Sequence, residues 1–274
     1  MDREWCSTMV DVRDVESIAR EAGEMLLKAF ADTASLRIER KADGVNNLVT
    51  DMDHQSERLI RNRLADLDSI RFMGEESATE IDYGGLVWVV DPIDGTVNFA
   101  HGLPIWTVSI ALVEDGIPLL GVIYDPNTDE IYSAVAGAGA TCNGHPLKVS
   151  RVEQLDRSFL VTGFPYDVDQ NPHGTIDTFA RVLQHGIAVR RLGSAALDLA
   201  LVAAGVFDAF WEVSLNPWDV AAGILLVREA GGRVTSYEST QGEDSGRIIT
   251  DRLLASNGLI DPELREILLP TTEA

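Results

Sequence analysis

The stretch "LVWVVDPIDGTVNF", residues 86–99, joins two patterns of different character. It begins with an uninterrupted apolar run, which is typical of a strand that is buried on both faces. Pro92 has a fixed φ and no amide hydrogen for a neighbouring strand, so we predict that the strand ends at Asp91. The sequence therefore predicts a buried strand that delivers two carboxylates, Asp91 and Asp94, to the turn that follows it.

The aspartates of this turn are the first candidates for chemistry. A plain Asp-Gly turn that closes a strand is the simpler interpretation, but two carboxylates that converge beside an apolar strand need a compensating positive charge. Mg²⁺ takes carboxylate oxygens together with backbone carbonyls such as that of Ile93. Gly95 permits a tight turn, and Thr96 is placed to begin a helix whose free amides would suit an oxyanion. We therefore predict a site for a hard cation and an anion here.

Three more acids lie in short stretches of interest. Taken alone, Glu75 in "GEES" indicates a solvated loop, and Asp219 in "NPWDVAAG" indicates a helix N-cap. Glu212 in "FWEV" is an acid among aromatic residues at the end of a strand, which is not diagnostic. The sequence contains no Walker, HExxH or GxSxG motif, no EF-hand loop fits, and its five histidines are scattered. Carboxylates are thus the candidate machinery.

Composition limits the classes of protein to consider. The chain has 274 residues with 45% hydrophobic content, enough for one large domain or two joined lobes. A net charge of −22 argues against a nucleic-acid-binding face. We expect neither a transmembrane helix nor a secretory signal, because no long apolar run occurs and the N-terminus is acidic. Two cysteines without a CxxC motif fit a reducing cytoplasm.

Periodicity divides the chain into two halves. Helical stripes are predicted over 12–30 and over 53–67, the second with Asp53 as its N-cap and with Leu59, Ile60, Leu64 and Leu67 on its buried face. Residues 107–150 predict a β-meander, and strands alternate with helices from about residue 158. This order predicts an α+β fold of two lobes, about 1–150 and about 151–274, without a linker between them.

Four segments in order carry a resemblance to a known family: "GEES", "WVVDPIDGTVNF", "RRLGSAALDLALVAAG" and "NPWDVAAGILLVREAGG". The first aspartate motif also occurs in fructose-1,6-bisphosphatases and phosphoadenosine phosphatases. Together, however, the four segments resemble the inositol monophosphatase family, the Mg²⁺-dependent, lithium-sensitive phosphatases, and most closely its bacterial and plastid members. The resemblance extends from about residue 12 to 268. It implies a layered αβαβα sandwich, a single catalytic domain over 1–274 and a homodimer.

The resemblance also implies roles for individual residues. Two or three Mg²⁺ ions would be held by Glu75, Asp91, the Ile93 carbonyl, Asp94 and Asp219. The catalytic residues would be Thr96, with Asp53 behind it to orient the attacking water, and Glu75. Phosphate and alcohol would be bound by Asp94, Gly95, Thr96, Gly193, Ser194, Ala195, Glu212 and Asp219. Lys41 matches a lysine of the family, although the loop beside it is one residue longer here.

The implied activity is hydrolysis of inositol-1-phosphate, or a related polyol phosphate, by metal-activated water. Fructose-1,6-bisphosphate, histidinol phosphate and phosphoadenosine nucleotides remain alternative substrates, because the fold does not determine the substrate. Trp218 argues against the histidinol-phosphate branch, and Arg190 and Arg191 would suit a second phosphate or simply an exposed strand end. A mainly regulatory binding role is a further alternative. Direct nucleic-acid binding and membrane association are not expected.

Overall fold

The computed structural model describes residues 10–33, 36–40, 48–238 and 245–269. Within these residues the α-helices are α1 Val12–Phe30, α2 Asp51–Leu67, α3 Thr96–Ala100, α4 Thr175–Gln184, α5 Ala195–Ala203, α6 Pro217–Glu229 and α7 Asp261–Leu268. The strands are β1 Ile38–Arg40, β2 Leu48–Thr50, β3 Arg71–Gly74, β4 Leu86–Asp94, β5 Thr107–Glu114, β6 Ile117–Asp125, β7 Glu130–Val135, β8 Gly139–Cys142, β9 His145–Pro146, β10 Phe159–Thr162, β11 Ala188–Arg190, β12 Ala209–Glu212, β13 Arg233–Ser236 and β14 Leu253–Ser256.

Two large sheets organise these elements. The first has the order β3-β4-β5-β6-β7-β8-β9, with β3 parallel to β4 and an antiparallel meander from β4 onward. The second has the order β11-β10-β12-β14-β13, in which the first three strands are parallel and the last two pairings are antiparallel. The predicted meander and the later alternation of strands and helices are both confirmed.

Three buried apolar clusters show that the layers alternate as helix, sheet, helix, sheet, helix. One cluster lies between α1, α2 and the first sheet, and a second joins the other face of that sheet to α5, α6 and the second sheet. A third packs α4 and α7 on the outer face of the second sheet. Strand β4 serves two of these clusters, because Trp88 and Val90 face α1 and α2 while Val87 and Val89 face α5 and α6. The predicted αβαβα sandwich is therefore confirmed.

The end of β4 differs from the prediction. Pairing with β5 is regular up to Asp91, opposite Ser109, and resumes at Asp94, opposite Thr107, so Pro92 does not end the strand. The residues between form an irregularity in which β4 is longer than its partner, as in a β-bulge. Side chains three apart in a regular strand point to opposite faces. The bulge instead allows both aspartates to line one cavity.

The start of α2 is also different. Thr50 is the N-cap, and its hydroxyl accepts from the amide of Met52. Asp53 is therefore the third residue of the helix and not its N-cap, and its carboxylate accepts from the Thr50 amide in a capping box. The consequence is that Asp53 faces inward while still stabilising the helix end.

The predicted buried stripe of α2 is only partly correct. Ile60 and Leu64 are buried, but Leu59 is half-buried and Leu67 is 40% exposed. Polar residues share the buried face near the start of the helix: Asp53, Ser56 and Glu57. Among the described residues, no helix is both long enough and apolar enough to cross a bilayer.

Candidate active site

A cavity of about 580 Å³ opens where the first sheet meets the N-termini of α5 and α6. It brings together all but one of the predicted site residues: Glu75, Asp91, Ile93, Asp94, Gly95, Thr96, Gly193, Ser194, Ala195, Glu212 and Asp219. The exception is Asp53, which lies behind Thr96 and is fully buried. Residues as far apart in the chain as Asp53 and Asp219, which are separated by 166 positions, therefore meet at one site.

The acids reach the cavity from different elements. Strands β3 and β4 are parallel, so the turn after β3, which carries Glu75, lies beside the end of β4, which carries Asp91 and Asp94. Glu212 ends β12, and Asp219 lies in the first turn of α6. Asp219 is the third helical residue, and its Oδ2 accepts from the Asn216 amide at 2.7 Å. The simple N-cap interpretation of Asp219 is therefore wrong by three positions.

The carboxyl groups in the cavity raise one another's pKa. Burial raises the pKa of Asp91 well above its usual range, and the charges of Glu75, Asp94 and Asp219 add to that effect. Glu75 also shares a hydrogen bond with Asp91. The pKa of Asp219 is raised well above its usual range by burial and then by the charges of Glu75 and Asp94. These acids therefore face one another at short range.

Asp94 differs because helix α5 provides it with donors. Its Oδ2 accepts from the Ser194 hydroxyl and from the Ala196 amide, the latter at 2.7 Å. Ser194 is the N-cap of α5, where unpaired amides and the helix dipole favour an anion. Burial raises the pKa of Asp94 to about 6, and the bonds from Ser194 and Ala196 oppose that rise. The Ser194 hydroxyl is thus bound to a carboxylate at the end of strand β4.

Thr96 and Asp53 form a second buried polar group. The Thr96 hydroxyl lies 3.0 Å from Asp53 Oδ1 and 3.0 Å from the Ile93 carbonyl oxygen, and its single proton can serve only one of them at a time. Asp53 Oδ2 accepts from both the amide and the hydroxyl of Thr50, each at 2.7 Å. Burial raises the pKa of Asp53 to about 7, against the lowering effect of Thr50. Asp53 therefore gains or loses its proton near neutral pH.

Aromatic side chains pack together at the short helix α3. The ring of Phe99 meets Trp106 edge-to-face at 5.0 Å between centroids and lies 5.5 Å from Phe30. Gly95 precedes the helix at φ +100°, and a Cβ there would lie 2.9 Å from the Ile105 carbonyl oxygen. The turn predicted at Gly95 and the helix predicted from Thr96 are both confirmed.

Two further acids and one guanidinium also line the cavity, those of Glu212, Asp198 and Arg191. Glu212 is buried against Gly163, where an added Cβ would lie 2.0 Å from Glu212 Oε2. Asp198 is also buried, and its Oδ1 has no hydrogen-bond partner among the described residues. Exposed Arg191 lies at the rim, where its charge lowers the pKa values of both acids against the rise that burial causes. Asp198 was missed from the sequence, although a lone acid inside the apolar helix "AALDLALVA" was a signal.

The oxygen atoms that line the cavity are suitable ligands for a hard cation. The inward-facing groups are carboxylate and carbonyl oxygens, which Mg²⁺ prefers, and a bound positive charge would relieve the repulsion that raises the pKa values of Asp91 and Asp219. Over 10–33, 36–40, 48–238 and 245–269, no three His, Cys, Asp or Glu side chains are gathered as a ready-made metal-binding group. The acids thus share one cavity without forming a closed set of ligands.

Lys41 lies outside the described ranges, as does Cys6, the first of the two cysteines. Nothing in the site therefore bears on the role that the family resemblance implies for Lys41. The second cysteine, Cys142, forms no disulfide with any described residue, and its partial burial raises the pKa of its thiol.

Comparison with known proteins decides the family. The model of the inositol monophosphatase family matches residues 9–273. The chain belongs to the inositol monophosphatase family. It is accordingly a phosphatase, a hydrolase of phosphoric monoesters, in a family that is in general Mg²⁺-dependent and lithium-sensitive.

Relatives within the inositol monophosphatase family carry more than one name. The chain is 40% identical over 271 residues to an inositol-1-monophosphatase of Synechocystis, covering 95% of this chain and 91% of that protein. It is 38% identical over 250 residues to the Nus factor SuhB of Escherichia coli, covering 87% and 88%. The structure of the extragenic suppressor protein suhB from Bartonella henselae superposes with a TM-score of 0.85 at 37% identity, covering 96% and 98%.

Proposed function

We propose that the protein hydrolyses inositol-1-phosphate, or a related polyol phosphate, to the free alcohol and inorganic phosphate by attack of water. The observation that carries the proposal is the lining of the cavity, in which a cluster of carboxylates (the carboxylate side) occurs together with the backbone of Gly193 and Ala195 and the carboxylate of Glu212. The cluster suits cations that bind a phosphate dianion, and the other groups suit the hydroxyl groups of a polyol. The name of the Synechocystis relative supports the same substrate.

The metal ligands in this proposal are those that line the carboxylate side: Glu75, Asp91, the Ile93 carbonyl, Asp94 and Asp219. Two or three bound Mg²⁺ ions would neutralise the phosphate, activate water and stabilise the leaving alkoxide. Ser194 and the Ala196 amide hold Asp94 through its Oδ2. We therefore give the Ser194 hydroxyl a positioning role instead of direct contact with the alcohol.

Thr96 and Asp53 are proposed to orient the attacking water. The Thr96 hydroxyl lines the cavity and is hydrogen-bonded to Asp53, which is screened from solvent behind it. A water bound to Thr96 Oγ1 would be held in one orientation, because the hydroxyl proton is directed to Asp53 or to Ile93. With a pKa of about 7, Asp53 can accept a proton through Thr96 near neutral pH.

The remaining contacts divide between phosphate and alcohol. The amides of Gly95 and Thr96, at the start of α3, are proposed to donate to phosphate oxygens, as amides at a helix start do for anions. The backbone of Gly193 and Ala195, with the carboxylate of Glu212, is proposed to meet the hydroxyls of the alcohol. The phosphate ester of a polyol offers several hydroxyl donors to such acceptors, whereas the ester of a simple alcohol offers none, because its one oxygen is bonded to phosphorus and carries no proton.

Phosphate release from a panel of esters tests the proposal. The panel contains inositol-1-phosphate, fructose-1,6-bisphosphate, histidinol phosphate and phenyl phosphate, each measured with Mg²⁺ and with a chelator. We expect inositol-1-phosphate to have the highest kcat/KM and the chelator to abolish release. Asp94→Asn should abolish release without unfolding the chain, while Asp66→Asn, a substitution of an exposed acid on α2, should leave it unchanged. Full turnover of the chelated enzyme would contradict the proposal.

A bisphosphate is the second candidate substrate. Arg191 lies exposed at the rim of the cavity, so its guanidinium is available to a second phosphate. Arg190 is less available, because its guanidinium lies over the ring of Phe159 at 4.9 Å. In the same panel, Arg191→Ala should reduce kcat/KM for fructose-1,6-bisphosphate more than for inositol-1-phosphate, and Arg190→Ala is the matched control. Equal losses for both substrates would remove this candidate.

The names of the Escherichia coli and Salmonella typhimurium relatives, Nus factor SuhB, raise a regulatory binding role as an alternative for this chain. The presence of every proposed metal ligand supports an active phosphatase in either case. The homodimer, the cytoplasmic location and the single-domain organisation over 1–274 remain predictions. Light scattering of the purified protein measures the first of these.

A further inference from the structure

One face of α2 makes polar contacts with the segments that carry the site. Asp53 already belongs to the proposed water-binding group. One turn along, the Ser56 hydroxyl donates to the Pro92 carbonyl oxygen at 3.3 Å, and Glu57 Oε2 accepts from the Glu76 amide at 2.8 Å. Residues three and four apart lie on the same face of a helix, so these side chains form one surface. The proposed mechanism uses only the first of them and leaves the buried Glu57 without a role.

Glu57 binds the backbone next to a proposed metal ligand. Its side chain is only 5% exposed, and the amide that it accepts belongs to Glu76, the residue directly after Glu75. On the other side of the turn, the Glu75 amide donates to the Val90 carbonyl oxygen at 3.1 Å. The backbone of Glu75 is therefore fixed at both ends, by strand β4 on one side and by helix α2 on the other.

The chain makes room for this contact. Gly74 is not in the left-handed region, yet an added Cβ there would lie 2.3 Å from Glu57 Oε2, so glycine allows the carboxylate to approach the turn. One helical turn beyond Glu57, Arg61 donates to the Ser77 hydroxyl at 2.7 Å while its guanidinium lies over the ring of Phe72 at 4.6 Å. Two side chains of α2 thus hold the turn, Glu57 at the Glu76 amide and Arg61 at the Ser77 hydroxyl.

We infer that Glu57 is a positioning residue for Glu75: by accepting the Glu76 amide it fixes the direction in which the Glu75 carboxylate enters the cavity. Arg61 secures the far side of the same turn. The inference rests on the proposed function, in which Glu75 is a metal ligand. Residues outside the ligand set that orient a ligand commonly change metal affinity by about 10- to 100-fold when they are removed.

A different explanation for a buried acid here is its charge, which would attract a cation through space. The conservative substitution Glu57→Gln separates the two explanations, because the glutamine keeps a carbonyl oxygen that accepts the Glu76 amide and loses the negative charge. If Glu57 acts by positioning, Glu57→Gln should bind Mg²⁺ nearly as well as the wild type. If it acts by electrostatic attraction, Glu57→Gln should weaken Mg²⁺ binding as much as Glu57→Ala does.

The test is calorimetric titration of Mg²⁺ into chelator-treated, dialysed protein, which measures binding without turnover. We expect Glu57→Ala to weaken Mg²⁺ binding about tenfold or more, Glu57→Gln to remain within about threefold of the wild type, and Arg61→Ala to weaken it about threefold. Arg58→Ala is the matched control on the exposed side of α2 and should have no effect. Glu75→Ala reports on the metal ligand itself.

The outcomes separate the two levels of the argument. If Glu75→Ala leaves Mg²⁺ binding unchanged, the proposed function fails at this ligand. If Glu75→Ala weakens binding but Glu57→Ala does not, or if Glu57→Gln is as weak as Glu57→Ala, only the positioning role is overturned. If Glu57→Ala does not fold, as judged by circular dichroism, the Glu57→Gln and Arg61→Ala variants decide. In that case, unchanged Mg²⁺ affinity in Arg61→Ala together with weakened affinity in Glu57→Gln overturns the inference.

Discussion

Asp53 and Asp219 occupy equivalent places in two helices that approach the same cavity, yet their surroundings differ. Each is the third residue of its helix and accepts the amide of the residue three positions before it. Asp53 accepts two further bonds, from the hydroxyls of Thr50 and Thr96. Asp219 lines the cavity and faces other acids, whose charges raise its pKa. Hydrogen bonds from the protein itself stabilise the Asp53 carboxylate, whereas the charge of the Asp219 carboxylate is left to be balanced by a bound ligand.

The largest expected effect is on catalysis by Asp219→Asn. The asparagine can still accept the Asn216 amide, so the helix end is preserved while a proposed metal ligand loses its charge. We expect phosphate release to fall about a thousandfold, since metal ligands in such sites contribute several kcal/mol and each 1.36 kcal/mol is a factor of ten. The free energy of unfolding in chelator should stay equal or rise, because one of several mutually repelling acids is gone. A loss of stability equal to the loss of activity would contradict the comparison.

Alanine substitutions should separate the two residues in the chelated protein. Asp53→Ala leaves the buried amide and hydroxyl of Thr50 without their acceptor, which costs about 1–3 kcal/mol for each unsatisfied group. Asp219→Ala removes an acceptor from the exposed Asn216, whose amide water can reach, and should cost less than about 1 kcal/mol. Urea unfolding in chelator measures both values. Equal losses would mean that Asp219 is as fully satisfied by the protein as Asp53.

The pH dependence of stability should depend on Asp53. Burial raises its pKa from 3.8 to about 7, so between these values the folded protein holds a proton that the unfolded chain has lost. This contribution to stability is present at low pH and is lost as pH rises through about 7. In chelator, the melting temperature of the wild type should therefore fall more steeply between about pH 4 and about pH 7 than that of Asp53→Asn. Parallel curves would show that Asp53 is ionised throughout.

The smallest effect concerns the group that satisfies Asp53. Thr50→Val removes the hydroxyl that donates to Asp53 and caps α2, and should lower the free energy of unfolding by about 1 kcal/mol. Thr50→Ser keeps the hydroxyl and is the matched control. If the Val variant is as stable as the Ser variant, the bond from the Thr50 amide alone stabilises Asp53.

Local patterns predicted most elements of the fold, but among the acids of the cavity they pointed only to Asp91 and Asp94, and Glu75 and Asp219 were added by the family resemblance. The stripe of α1, the meander and the run at β4 were correct because periodicity reports burial directly. The short strands β1, β2 and β3 were not foreseen, since three or four residues carry too little pattern and form through their partners. The chemistry of the site, by contrast, was assigned through the family resemblance more than through the residues alone.

The errors near the site have a common physical cause. A polar residue next to an apolar run was interpreted as a cap, as at Asp53 and Asp219. In the structure each of these is turned inward by a tertiary partner, Thr96 and the acid cluster respectively. Glu57 is the clearest case, because a buried acid on an otherwise amphipathic helix has no signal in the periodicity.

The bulge in β4 makes the length of this segment more important than the identity of its middle residues. Ile93 fills the apolar layer under α1 and α2, while its neighbours on either side of the irregularity face the cavity. Deleting one of the two residues between Asp91 and Asp94 would leave the carboxylates two positions apart, on one face of a regular strand, but it would remove the bulge that sets the Ile93 carbonyl between them. The length of this segment therefore fixes the spacing of the two carboxylates and of that carbonyl, and a change of one codon would alter it.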